Sequence, residues 1–279
     1  MTRPTSGHRA LALDFASVLL VSLLILLAAS RLWVMAIGVP SILGLRFLAR
    51  ARLPDSERDL SVRAELPFFL ALVLIGGGND WNSVHRHHVY DYTVPAEVPE
   101  LSSIPIWMLL YWGLILRFIL TLSHSRLLAL PPLADSLVLF GRRVGGPVAR
   151  ALVILGLTVA TRQSIYRAFE HPIGSWLPFA VALGLALVVL RPDRRRILLV
   201  VATVVVGPLV EAVYIGGAGL HRYRLGWFFG VPLWIALWWG LAVLGWDELG
   251  TRFMLFVERS VRPRASARSV GAPPARPAS

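Results

Sequence analysis

Glu211 stands in the apolar run from Ile197 to Gly217, just after Gly207-Pro208 and flanked by valine, leucine and alanine. A carboxylate at that depth is costly, and it marks either a working site or a paired structural group. A buried carboxyl can serve as a general acid. Asp80 ends an earlier apolar run, nearer water, and is the second acid. After each acid comes a polar turn with His-x-Tyr: His88 and Tyr90, then His221 and Tyr223. Glu211, Asp80, His88 and His221 are therefore the candidate catalytic residues.

The first of these turns, Gly76 to Tyr92, also holds His85, His87 and Asp91. Histidine and carboxylate are ligands for zinc and non-haem iron. His85 and His87 would share one face of a strand, whereas a helical turn would bring His85 and His88 together. His85, His87 and His88 are the candidate metal set for a single ion, with Asp80 and His221 as further donors. The alternative is a hydrogen-bonded polar loop capping the molecule. Membrane di-iron oxygenases carry several His-x-x-His-His clusters. Only one cluster of different spacing occurs here, which argues against that chemistry and leaves the cofactor undefined. The absence of cysteine excludes disulfides, thiolate catalysis and thiolate metal sites.

A second pattern occurs twice. Pro105-Ile106-Trp107-Met108-Leu109-Leu110-Tyr111-Trp112-Gly113-Leu114 matches Pro232-Leu233-Trp234-Ile235-Ala236-Leu237-Trp238-Trp239-Gly240-Leu241 without a gap. Proline suits a first helical turn, tryptophan a membrane interface, and glycine a close helix contact. These helices either pack and anchor, or they wall a flat apolar ligand. In the second reading Trp107, Trp112, Trp234, Trp239, Tyr90 and Tyr223 bind the substrate. Paired glycines precede each copy, Gly77-Gly78 and Gly216-Gly217. The order of features describes two related halves.

The elements that must position these residues are membrane spans. Of the 279 residues, 56% are hydrophobic and 16% charged, against about 25% charged in a soluble domain. Charges cluster between apolar runs long enough to cross about 30 Å of hydrocarbon. Eight runs are candidates: Leu11–Ala29, Leu32–Leu48, Leu66–Gly78, which is short and extends through Asn79 and Asp80, Ile104–Leu122, Val148–Thr161, Ile173–Leu190, Ile197–Gly217 and Phe229–Trp246. The predicted fold is an all-α polytopic bundle of about eight spans, a tandem four-plus-four parallel repeat. Residues 1–126 form the first repeat, 127–147 a linker with an interfacial segment, and 148–258 the second repeat. Residues 259–279 form a basic tail too poor in apolar residues to fold. Asp14 is expected to cap a helix or reach to the boundary.

The net charge of +12 comes from arginine without lysine. With no soluble domain to carry a basic patch, a nucleic-acid partner is excluded. The arginine-dense segments alternate with arginine-poor ones, as the positive-inside rule requires. This ordering predicts a bacterial inner-membrane protein with both termini cytoplasmic and both His-x-Tyr turns outside.

Glu211, Gly216-Gly217, His221-Arg222-Tyr223 and Gly230-Val231-Pro232-Leu233-Trp234 resemble bacterial carotenoid-biosynthesis membrane proteins, of the hydratase and small-subunit lycopene cyclase types. The resemblance covers about 30 residues. It implies a multi-span bundle that binds a polyene and protonates a double bond, and it assigns the acid to Glu211. The cyclases' paired glutamates after proline are absent: Pro105 and Pro232 precede Ile106-Trp107 and Leu233-Trp234.

These residues point to a membrane enzyme acting on a lipid or isoprenoid through an outward-facing polar site. The alternative is a non-catalytic membrane scaffold or sensor. A small-solute transporter fits less well, because few polar residues line the spans. The expected partners are the lipid bilayer and a lipid or polyene ligand.

Overall fold

The structure is a computed structural model that describes residues 4–139 and 141–261. The expectation for the tail falls largely outside these residues. Eight helices are present among the described residues: α1 (His8–Ala28), α2 (Leu32–Ala51), α3 (Val62–Trp81), α4 (Ile106–His124), α5 (Pro147–Ala168), α6 (Leu177–Leu190), α7 (Arg194–Ala218) and α8 (Leu233–Val261). The chain is an all-α polytopic membrane bundle. Six helices are long and apolar enough to cross a membrane. The exceptions are α6, with 14 residues, and α8, whose second half carries Asp247, Glu248 and Arg252.

Proline marks the helix starts and bends. Pro105 precedes α4 in an extended conformation, and its successor Ile106 donates its N–H to Glu97 at 2.7 Å. Pro147 opens α5, where a missing donor is harmless. Pro208 lies inside α7, where its ring removes the bond to the Val204 carbonyl. Asp193 caps α7 by accepting from the Arg195 and Arg196 amides. At the other end Gly219, with φ +57°, turns the chain, and the Leu220 N–H reaches back to the Tyr214 carbonyl at 3.1 Å.

Helices α4 and α8 are the hubs. Helix α4 packs on α1, α2 and α3, α8 packs on α5, α6 and α7, and the two hubs touch each other. Small residues allow the close contacts. A Cβ on Gly76 would lie 2.6 Å from the Trp112 Cβ, and one on Gly207 would lie 2.4 Å from the Trp239 ring. The outward faces are apolar, with Leu19, Leu27, Leu74, Leu152, Val181, Leu198 and Leu209 exposed, as suits a lipid surround.

Two short ribbons close the bundle. At one end β1 (Tyr90–Tyr92) pairs antiparallel with β4 (His221–Tyr223), Tyr90 opposite Tyr223 and Tyr92 opposite His221. At the other end β2 (Leu137–Leu139) and β3 (Arg142–Val144) form a hairpin. The linker before it is an irregular loop held by arginines: Arg195 donates to the Ala129 carbonyl at 2.7 Å and Arg196 to that of Pro131 at 2.7 Å.

The expectation for Asp14 needs correction. Asp14 is fully buried and belongs to an ion cluster at the end that holds the described termini. It meets Arg46 at 2.8 Å and Arg50 at 3.0 Å. Arg117 meets Asp59 at 2.6 Å and Glu65 at 3.1 Å, and Arg46 reaches Glu65 at 2.8 Å. Three arginines thus balance three carboxylates below the helix ends. Arg46 and Arg117 act as internal counter-ions rather than topology signals, because an unpaired charge there would be too costly.

Candidate functional site: a cavity beneath the ribbon

The chain places six of the predicted residues around one cavity. It has a volume of about 210 Å³ and lies between α1, α4, α7 and α8 beneath the β1–β4 ribbon. Tyr90, Trp112, Tyr223 and Trp239 line it, together with Glu211 and His221. The walls are otherwise mostly apolar: Val18, Met108, Ile115, Phe118, Ile119, Val206 and Val210. Val206 and Val210 are also exposed on the outer face of α7, so the cavity reaches the bilayer side of the bundle.

The acids occupy matching positions. Glu211 comes four residues after Gly207, and Asp80 four residues after Gly76. Each glycine lets a tryptophan lie flat on its helix, and each tryptophan donates to the acid one turn on. The Trp239 Nε1–H donates to Glu211 Oε1 at 3.2 Å, and the Trp112 Nε1–H to Asp80 Oδ2 at 2.8 Å. The ribbon supplies the remaining donors. Tyr223 donates to Glu211 Oε2 at 2.6 Å, while Tyr90 and Tyr92 donate to the two Asp80 oxygens, each at 2.6 Å. His221 Nε2 lies 3.5 Å from Glu211 Oε2. Burial first, then the adjacent carboxylate, holds the Tyr90, Tyr92 and Tyr223 phenols well above their ordinary range. They therefore stay protonated donors. No arginine pairs with either acid among the described residues.

The acids differ in access. Asp80 is fully buried behind its donors, whereas the Glu211 side chain is 13% exposed and lines the cavity. Asp80 therefore positions the Tyr90, Tyr92 and Trp112 side chains, and Glu211 can meet a ligand. Below Glu211 the Ser22, Tyr111 and Tyr214 hydroxyls form a triangle with sides of 2.8, 2.5 and 2.7 Å. Tyr111 stands at the aromatic position of the repeated motif, where nothing marks its hydroxyl, and neither Ser22 nor Tyr214 carries a spacing signal.

Other expectations are corrected. Trp107 is buried in the core of the first half, and Trp234 stacks on Phe179 at 5.6 Å. Five residues separate each from Trp112 or Trp239, about 140° around a helix, so both cannot face one cavity. His88 is exposed with φ +51° and lies outside the cavity. The histidines of the first turn diverge. His85 bonds the Ser102 hydroxyl at 2.9 Å, and His87 stacks on Tyr166 at 3.9 Å. Among the described residues no three histidine or acidic side chains converge on a metal position. A helical turn over 82–86 followed by a reversal at His88 spreads residues that sequence proximity placed together. The turn behaves as the hydrogen-bonded cap.

Fold and cavity together define a polytopic helical membrane protein with a cavity between α1, α4, α7 and α8 that opens toward the outer face of α7. No family model matches the sequence. No curated protein matches it either. Among solved structures, the chain resembles a mycobacterial Insig homologue, MvINS, from Mycobacterium vanbaalenii, with 20% identity and a TM-score of 0.51 over 74% of this chain and 98% of that one. A cross-linked MvINS trimer matches with 21% identity and a TM-score of 0.51 over the same shares. At this identity the likeness concerns the fold.

Proposed function

We propose that the protein is a non-catalytic membrane scaffold or sensor that holds one lipid in the cleft between its halves. The observation that carries this reading is the cavity itself: apolar walls open toward the bilayer along α7, closed by a polar cap of Glu211, His221, Tyr223 and the hydroxyl triangle. A chain-like apolar molecule fills the walls, and a small hydroxyl or carbonyl head bonds the cap. A head with a negative charge would face Glu211, which no arginine pairs with among the described residues. The bound molecule is therefore a weakly polar lipid or polyene. Fold likeness to an Insig homologue supports the membrane setting of this reading.

The halves are read as an internal duplication, supported by the matched Gly-x-x-x-acid pairs, the matched tryptophans and the Tyr90–Tyr223 pairing. The arginine-rich end, with both described termini, is placed in the cytoplasm of a bacterial cell, and the β1–β4 ribbon outside.

The methyl ester of a fluorescent polyene fatty acid tests the reading, because Trp112 and Trp239 would transfer excitation energy to a polyene in the cleft. Thr203 lines the cavity, and Thr203→Phe should plug it and abolish transfer. Equal transfer in the plugged protein would remove the cleft as the binding place.

A second reading is isoprenoid chemistry with Glu211 as proton donor, in line with the resemblance to carotenoid-biosynthesis proteins. It is favoured by the exposure of the Glu211 carboxyl to the cavity between Tyr223 and His221. It requires that Glu211→Gln abolish turnover of a polyene while binding persists.

A further inference from the structure

The cavity beneath the ribbon is polar at its cap, yet its donors are already committed. Tyr90 and Tyr92 give their O–H to Asp80 at 2.6 Å, and Tyr223 gives its own to Glu211 at 2.6 Å. The indole N–H of Trp112 goes to Asp80 at 2.8 Å, and that of Trp239 to Glu211 at 3.2 Å. Thr203 turns its hydroxyl back on its own helix, 2.9 Å from the Val200 carbonyl and 3.0 Å from that of Leu199. The hydroxyl triangle is closed in the same way. Ser22, Tyr111 and Tyr214 hold one proton each, and four contacts compete for them: the sides of the triangle and the Val18 carbonyl, 2.8 Å from Ser22. Among the described residues, every side-chain hydroxyl and indole N–H of the lining therefore has a protein acceptor. His221, the remaining side chain of the lining with a ring nitrogen, brings Nε2 to 3.5 Å from Glu211 Oε2.

Acceptors, by contrast, remain. Each Glu211 oxygen accepts once from the protein, Oε2 from Tyr223 and Oε1 from Trp239, and a carboxyl oxygen has room for a second donor. Glu211 lines the cavity, so that capacity faces a ligand. An entering head group finds oxygens to donate to and few protons to accept. A hydroxyl head makes a hydrogen bond there. A ketone, aldehyde or ester carbonyl only accepts, so it is buried without a donor and faces the Glu211 lone pairs, the unfavourable case. The apolar walls do not distinguish these heads, and the cap alone selects between them.

We propose that the cleft takes a long-chain or isoprenoid alcohol whose hydroxyl donates to Glu211, in preference to the matching ester, aldehyde or ketone. The proposal rests on the reading of the cleft as a lipid site and narrows its ligand to one chemical class.

The test compares two fluorescent probes of one chain length on the full chain in detergent: a conjugated polyene alcohol and the methyl ester of the matching acid. Energy transfer from tryptophan reads binding of each. The alcohol should bind the wild type about ten-fold more tightly, the effect of one hydrogen bond made rather than lost. Glu211→Gln brings an NH2 whose two hydrogens can serve the Tyr223 hydroxyl and a carbonyl head, so the ratio should fall to about one. Thr203→Phe should abolish transfer to both probes. Equal binding of the two probes by the wild type, with both blocked by Thr203→Phe, overturns the alcohol assignment and leaves the cleft as a lipid site. A ten-fold preference that persists in Glu211→Gln overturns the role of Glu211. Transfer that Thr203→Phe does not block, or none to either probe in the wild type, overturns the reading of the cleft and this assignment with it. Tighter binding of the matching polyene amine than of the alcohol would assign the site to a cationic head and overturn the proposal.

Discussion

The two ends of the bundle bury carboxylates in opposite ways. At the end with the described termini, Asp14, Asp59 and Glu65 meet Arg46, Arg50 and Arg117 at distances from 2.5 to 3.1 Å. At the ribbon end, Asp80 and Glu211 meet phenols and indoles. The first arrangement sets three arginines against three carboxylates. Its parts come from α1, α2, α3, α4 and the loop before α3, so it ties the first half together. The second arrangement orients its acids and leaves one of them open to a cavity. A cluster closed by its own counter-ions holds structure, and an acid held by neutral donors beside an apolar void is placed to meet a ligand.

The largest effect should come from breaking the closed cluster. Arg117→Met leaves Asp59 and Glu65 short of a cation in a buried setting, and should cost roughly 3–5 kcal/mol. Thermal unfolding in detergent reads this as a large drop in midpoint. A shift too small to resolve would mean that water reaches the cluster.

The same substitution at the two ends sharpens the contrast. Glu65→Gln removes a buried counter-ion from Arg46, Arg50 and Arg117, and should destabilise by about 3 kcal/mol. Glu211→Gln keeps one acceptor oxygen for Trp239 and places an NH2 that can donate to the Tyr223 hydroxyl, and should stay within about 1 kcal/mol of the wild type. Equal losses would erase the distinction between the ends. Smaller again, Tyr111→Phe opens the hydroxyl triangle and should cost about 1 kcal/mol.

The smallest effect near neutrality concerns pH. The Tyr90 and Tyr223 phenols are raised above their unfolded value, so their protonated forms stabilise the fold. That contribution is fully present below about pH 10, the unfolded phenol value, and is lost as pH rises toward the raised folded values. Unfolding midpoints should therefore show no phenol-linked fall up to about pH 10 and decline above it, less steeply in Tyr223→Phe. A phenol absorbance change below that pH would contradict the burial of these rings.

The spans were legible in the sequence because an apolar run is a local property. Leu32–Leu48 became Leu32–Ala51, and Ile197–Gly217 became Arg194–Ala218. Glu211 and the Trp112–Trp239 pair were legible for the same reason: one is costly where it stands, the other recurs. The ion cluster was not read, although Asp14, Arg46 and Arg117 stand inside apolar runs with opposite charges. The rule that singled out Glu211 applied to them too and would have paired them. The metal set failed for a physical reason, since three histidines in four positions diverge once a helical turn meets a residue with positive φ. Trp107 and Trp234 were misplaced by reading the motif as a line rather than around a helix.

Organic extraction and mass spectrometry of the protein purified from membranes in mild detergent, alongside Thr203→Phe, decides whether the cleft holds a lipid. One weakly polar lipid per wild-type chain is expected, lost in the plugged variant. Equal lipid content in both proteins, or none in either, would contradict a lipid held in the cleft between the halves.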